Sequence, residues 1–223
     1  MMCSALVNNV LLLSQEIKRL KAENKRFIIA IAGPPASGKS TLADALVDYL
    51  NDQVLSDRSA ALLPMDGFHL DNEVLLKKGL LARKGAPETY DANGFCSLVE
   101  SLRDSTEDLF YPLFDRTLDM AIAGSGVIKQ KTSVVVVEGN YLLLKSQPWD
   151  SLLTTFDHTV FISPSIDVLE QRLIERWQNY GFDKQTAETR ARNNDLVNAN
   201  LVLEQSSEAD IRFEETIRSI ENV

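Results

Sequence analysis

Short apolar runs alternate along this chain with stretches whose apolar residues recur every three or four positions, and that alternation sets the expected architecture. The runs RFIIAIA (26–32), AALLPM (60–65), SVVVVEG (133–139) and HTVFIS (158–163) read as strands, with ADIRF (209–213) a weaker fifth. Nearly continuous apolar strands suit parallel pairing with both faces covered. Leu42, Ala45, Leu46, Tyr49 and Leu50 follow the first run at helical spacing, as Ile166, Leu169, Leu173 and Trp177 follow the fourth. The order predicts an α/β fold with a doubly wound, mostly parallel sheet. Ser163 is expected to cap the helix after the fourth strand, with Pro164 in its first position. Leu6, Val10, Leu13, Ile17 and Leu20 mark an amphipathic helix within residues 1–25. Residues 67–132 break the rhythm: they hold one helix candidate, about 94–109, between loop-like segments, and read as an insertion that shapes a site. The whole chain, 1–223, reads as a single domain.

Charge narrows the partners. Lys and Arg number 23 against 32 Asp and Glu, a formal net charge of -9, so the average field repels nucleic acid and anionic membrane faces, and any phosphate site must be local. No run approaches the roughly 18 apolar residues of a membrane span. The first residues lack the basic region of a signal peptide. Cys3 and Cys96 have no CxxC or Cys/His pattern, so neither a disulfide framework nor a zinc site is expected, and the compartment expected is the reducing cytoplasm. Oligomeric state, a homodimer included, is left open by the sequence.

Candidate chemistry begins between the first strand and its helix. Gly33, Pro34, Pro35, Ala36, Ser37, Gly38, Lys39, Ser40 and Thr41 contain G-x-x-x-x-G-K-[ST] in the context that motif requires. Glycines allow backbone N–H groups to curl around an anion, and the helix N-terminus adds partial positive charge. Lys39 can reach the β- and γ-phosphates of ATP, and the Ser40 hydroxyl can ligate Mg²⁺. GTPases and transporter ATPases share this loop, but Asp91 to Gly94 is an isolated D-x-x-G after no strand, and neither an N-K-x-D nor an LSGGQ-like segment is present. Asp66 and Glu138 end two predicted strands, so both belong at the carboxyl edge of the sheet with the phosphate loop. Phosphoryl transfer to an alcohol needs one carboxylate to accept the hydroxyl proton and another to hold hydrated Mg²⁺. His69, Arg83, Lys84, Tyr90, Asp91, Tyr111, Asp115 and Arg116 are the candidates for an acceptor pocket, and Trp149 and Trp177 read as packing residues.

These segments resemble the phosphoribulokinase, uridine kinase and type I pantothenate kinase family, most closely its bacterial members associated with fructose transport or similar to uridine kinases. PMDGFHLDN (64–72) is similar to the second-strand signature whose Asp is the catalytic base, here Asp66. RKGAPETYD (83–91) resembles a pantothenate kinase segment whose Lys lies near the transferred phosphate, here Lys84. VVVVEGNYLLL (134–144) resembles the acidic third motif, which makes Glu138 the magnesium-side carboxylate, and RLIERWQNYG (172–181) resembles the lid helix, with Arg176 and Arg172 over the phosphates. The segment YPLFDRTLDMAIAG (111–124) departs from the pantothenate kinases. The resemblance implies a P-loop nucleoside triphosphate hydrolase fold with a helical lid at about 165–200. It also implies an ATP- and Mg²⁺-dependent kinase acting on an alcohol group of a small metabolite such as a sugar, a nucleoside or a pantothenate-like compound, with Asp66, Lys39 and Arg176 catalytic. Asn198 and Asn200 fall in a segment that in the family follows the lid, and they would either approach adenine or cap a helix. An ATP-binding regulatory protein without phosphoryl transfer is the alternative.

Overall fold

The computed structural model describes residues 4–21, 25–55 and 59–214. Five parallel strands form the central sheet: β1 (Phe27–Ala32), β2 (Ala60–Pro64), β5 (Val134–Gly139), β6 (His158–Ile162) and β7 (Ile211–Phe213), in the order β2-β5-β1-β6-β7. The chain leaves β1 for one side of the sheet and later crosses to the other, so a crevice opens beyond the carboxyl end of β1. The expected strands all form, each within two residues of its predicted bounds.

Strand alternation divides the interior in two. Ile28, Ala30 and Ala32 of β1, with Val135 and Val137 of β5, face one core, while Phe27, Ile29 and Ile31, with Val134 and Val136, face the other. The second core is closed by α1 (Ser4–Leu20) and α2 (Lys39–Tyr49). Leu6, Val10, Leu13 and Ile17 are buried there as expected, whereas Leu20 at the helix end stays 37% exposed. The first core is aromatic: Trp149 packs against Tyr141 at 5.5 Å, Phe95 at 6.0 Å and Tyr90 at 6.3 Å between ring centroids. Trp149 is therefore a packing residue. Cys96 is buried in the same core, and Cys3 lies outside the described residues.

Two expectations need correction. The helix placed at 94–109 is α4 (Ala92–Ser101), and Leu109 instead begins β3 (Leu109–Asp115), which pairs antiparallel with β4 (Met120–Ile128). This hairpin escaped the pattern because its outer face is apolar: Phe110, Met120, Ile122 and Val127 are all exposed, so the polar alternation of a half-buried strand is missing. After β6, the cap of α5 (Ile166–Asn179) is Ser165, whose Oγ accepts from the Val168 N–H, rather than Ser163. Pro164 precedes the cap and helps to hold the chain extended into it. The remaining helices are α3 (Asn72–Lys77), α6 (Lys184–Arg190) and α7 (Leu196–Gln205), with a π-helical turn, Ala191–Asp195, joining the last two. Among the described residues no helix is long and apolar enough to cross a membrane.

Candidate active site

The segment after β1 turns sharply into α2 through Gly38, which holds φ 93°, and Ala36 is also left-handed at φ 62°. No side chain caps α2, so the N–H groups of its first turn point outward without an intrahelical partner, an arrangement that suits an anion. Pro35, Ala36, Gly38, Lys39, Ser40 and Thr41 line a cleft of about 1410 Å³. Gly33, Pro34 and Ser37 are buried behind them. Burial lowers the Lys39 ammonium below its ordinary value, while the carboxylates of Glu138 and Asp66 oppose that shift.

Glu138 is the penultimate residue of β5, only 5% exposed. Its Oε1 accepts from Ser40 Oγ at 3.2 Å, and its Oε2 has no hydrogen-bond partner. Burial pushes this carboxyl up to about 7, against the pull of Lys39. A buried carboxylate oxygen with no donor, beside a hydroxyl in the first turn of α2, fits one side of a hydrated divalent cation. Among the described residues no group of three His, Cys, Asp or Glu forms a closed metal cage, so such a cation would take its other ligands from phosphate and water.

Asp66 stands in a single 3-10 turn, Met65–Phe68, directly after β2, and lines the same cleft as Lys39. The turn is stitched locally: the Asp66 carbonyl accepts from the His69 N–H at 3.2 Å and from His69 Nδ1 at 2.7 Å. Asp66 Oδ2 meets Arg116 Nη2 at 2.9 Å. Burial alone would lower the Arg116 guanidinium, but the Asp66 carboxylate, with a smaller contribution from Tyr180, outweighs it and raises it. His69 is sandwiched by Tyr90 at 4.1 Å and Phe114 at 4.7 Å, and burial lowers its ring. Burial also holds the cleft-lining Tyr90 hydroxyl well above its ordinary range. Lys84 reaches Asn72 Oδ1 at 2.7 Å and Asp119 Oδ1 at 2.9 Å, and its ammonium lies 5.1 Å from the centre of the Phe114 ring.

On the lid side, Arg176 lines the cleft and pairs with Asp195 Oδ2 at 3.3 Å, with its Nε buried and unpartnered. Arg172, one turn earlier, donates to the Ala36 carbonyl at 3.4 Å, in the turn that leads into α2. Asp195 Oδ2 also accepts from Trp177 Nε1 at 2.6 Å. Trp177 is thus a cleft residue, with Arg190 stacked 5.0 Å from its ring centre.

Not every candidate meets at this cleft. Tyr111 points inward from β3, and its hydroxyl donates to the Leu62 carbonyl at 2.6 Å. Asp115 closes the hairpin turn by accepting from the N–H groups of Thr117 at 2.8 Å and Leu118 at 2.9 Å. Asp91 caps α4 by accepting from the Gly94 N–H at 3.0 Å. Arg83 is turned toward the lid side, donating to Asn194 Oδ1 at 2.7 Å and Asn198 Oδ1 at 3.0 Å. Asn198 is buried and lines the cleft; Asn200 is exposed on α7. The strand alternation of β3 explains the contrast between Tyr111 and its neighbours: adjacent strand residues face opposite sides, which periodicity could have shown only if the strand had been recognised.

Sequence reasoning did not single out Asp119, Asn140, Tyr180 or Asp195. Asn140 carried a usable signal, since it lies two residues beyond Glu138, and its 7%-exposed side chain leaves Oδ1 unpartnered at the cleft. The other three reach the cleft from segments distant in sequence.

Comparison with known proteins bears on the family and the fold. Residues 28–218 match the Phosphoribulokinase / Uridine kinase family. The chain is 35% identical over 193 residues to the uncharacterised protein YggC of Escherichia coli K12, covering 86% of this chain and 79% of that one. It is 30% identical over 207 residues to a candidate uridine kinase of Schizosaccharomyces pombe, covering 90% and 87%. A crystal structure of a candidate fructose transport system kinase from Silicibacter sp. TM1040 superposes with a TM-score of 0.85 at 39% identity, covering 92% of this chain and 98% of that one.

Proposed function

Because this chain belongs to the phosphoribulokinase / uridine kinase family, a group of kinases by the names of its members, we propose that it is an ATP-dependent phosphotransferase that moves the γ-phosphoryl group to a hydroxyl of a small metabolite, such as a sugar, a nucleoside or a pantothenate-like compound. The observation that carries this reading is the convergence of Lys39 and Asp66 on one cleft, with a buried, half-unpartnered Glu138 beneath Ser40. The α2 N-terminus and Lys39 bind the phosphates, and Arg176 and Arg172 approach from the lid side. Mg²⁺, held by Ser40 and Glu138, would neutralise charge on the phosphate oxygens. Asp66 accepts the proton of the acceptor hydroxyl as its oxygen bonds to the γ-phosphorus and ADP departs with the bridging oxygen. Lys39 and Arg176 balance the charge spreading over the equatorial oxygens. His69 and Lys84 support the acceptor side of the cleft, and the aromatic wall of Tyr90 and Phe114 excludes water from it.

Asp66→Asn tests the assignment. Screened with ATP against a panel of sugars, nucleosides and vitamins, the wild type should release ADP on addition of its acceptor. The variant should bind ATP normally and transfer at least about a hundredfold more slowly. Full transfer by Asp66→Asn would remove the assigned base, and a panel without any stimulating metabolite would favour nucleotide binding without transfer.

A further inference from the structure

Arg116 makes a contact that phosphate binding and acceptor binding leave unexplained. It stands at the tip of the β3-β4 hairpin, lines the cleft, and directs its guanidinium at the carboxylate assigned as the base. Tyr180, whose backbone N–H ends α5 on the lid side, also acts on the guanidinium and helps to raise it, so Arg116 stands where hairpin, base and lid come together. The tip is held in place by its other end: Asp119 Oδ2 accepts from Asn72 at 2.8 Å, and Asp119 Oδ1 meets Lys84 at 2.9 Å. The strand below is pressed onto the Asp66 turn, since a Cβ at Gly67 would lie 1.8 Å from the Pro112 carbonyl oxygen. The guanidinium is thus aimed by two independent anchors. The pair it makes with Asp66 is also open to solvent, with side chains 59% and 28% exposed, and exposed pairs of this kind are weak enough for a bound ligand to break.

We propose that Arg116 is the residue that decides between alcohol and water as phosphoryl acceptor: it occupies Asp66 Oδ2 while the cleft holds ATP alone, and yields that oxygen when an acceptor hydroxyl enters. The inference rests on the phosphotransferase reading above. With Oδ2 free and no acceptor bound, Asp66 takes a proton from a water in the cleft as the water oxygen bonds to the γ-phosphorus. The bond from that phosphorus to the β–γ bridging oxygen breaks, ADP leaves with the electron pair, and the carboxyl proton passes to solvent. With Oδ2 held by Arg116, a water at that oxygen meets a carboxylate whose electron pair is already shared with a guanidinium, and its proton is taken more slowly. Arg116 acts through Asp66 and is a positioning residue. A purely structural ion pair would affect stability and leave the choice of acceptor unchanged.

The test is ADP formation from Mg²⁺·ATP with no acceptor present, which requires no knowledge of the natural substrate. Arg116→Met keeps the apolar stem and should raise this hydrolysis on the order of tenfold, part of the range a freed general base supplies. Arg116→Lys should stay near the wild-type rate. Tyr180→Phe, which removes the hydroxyl that helps to raise the guanidinium, should give a smaller rise. In the double variant Asp66→Asn/Arg116→Met the rise should vanish. Unchanged or slower hydrolysis by an Arg116→Met protein that melts normally and binds ATP overturns the proposal, as does a rise that survives the double substitution. Failure of the underlying reading appears elsewhere, as acceptor-stimulated transfer that persists in Asp66→Asn alone.

Discussion

Gly67→Ala adds one methyl group next to the proposed base, and the structure specifies what that methyl meets. Its Cβ would lie 1.8 Å from the Pro112 carbonyl oxygen, 2.6 Å from the Pro112 carbonyl carbon and 3.2 Å from the Leu113 nitrogen. All three are backbone atoms, so no rotamer change relieves the clash. To reach even 3.0 Å from that oxygen, the closest approach that real Cβ atoms make, hairpin and turn must part by about 1.2 Å. The displacement falls on the strand that carries Arg116, whose bond to Asp66 is 2.9 Å, and on Tyr111, whose hydroxyl bonds to Leu62 at 2.6 Å. Overpacking of this kind costs about 1–3 kcal/mol. A misplacement near 1 Å at a reacting group lowers rate on the order of a hundredfold. Urea unfolding followed by tryptophan fluorescence should therefore show a lowered midpoint, and acceptor-stimulated ADP release should fall, while ATP affinity, set by the turn into α2 that the methyl does not touch, is retained. Gly79→Ala is the control: at φ +69° it carries a backbone penalty but has nothing within 4 Å of the added methyl, so it should lose some stability and no transfer activity. A Gly67→Ala protein with unaltered unfolding midpoint and rate would refute the claim that hairpin and base are in rigid contact.

The buried titratable groups predict opposite pH slopes. Glu138 rises from an ordinary 4.5 to about 7 on folding, so between those values the unfolded chain binds fewer protons than the native one. The nucleotide-free protein should lose stability, on the order of 3 kcal/mol, as pH climbs through about 7. Glu138→Gln should flatten that loss in melting experiments across pH 5–8; an unchanged slope would mean the carboxyl is not the cause. His69 is shifted the other way by burial, so its contribution is present above pH ~6.5 and is lost as pH falls through its depressed folded value. Substituting His69→Gln should remove the acid-side part of the profile, and an identical profile in that variant would refute the assignment.

Several parts of the molecule were legible in single stretches of sequence because the physics that makes them is local. Apolar runs long enough to be covered on both faces became four of the five parallel strands, and the glycine-rich segment ahead of Lys39 became a sharp turn into a helix because strand, turn and helix are consecutive. Asp66 and Glu138 could be placed at one sheet edge from their positions at strand ends. The hairpin was not legible, because the outward residues of β3 and β4 are apolar and the polar alternation that marks a half-covered strand is absent. With it went the orientation of Tyr111 and Asp115, since a residue's face follows from the strand it belongs to.

The sequence by itself determined the layered α/β architecture, the glycine-rich turn into α2 and the family, since each rests on residues adjacent in the chain or on motifs in fixed order. Only the tertiary structure decided which of the flanking polar groups work together. Arg116 meets Asp66 across 50 residues, Arg83 meets Asn194 across 111, and Asp195 joins Arg176 and Trp177 within the lid. Such pairings depend on how the hairpin and lid pack over the sheet edge. Packing of that kind leaves no periodicity in the chain, because its energy lies in contacts between segments and its register is set by close approaches such as that of Gly67 to Pro112.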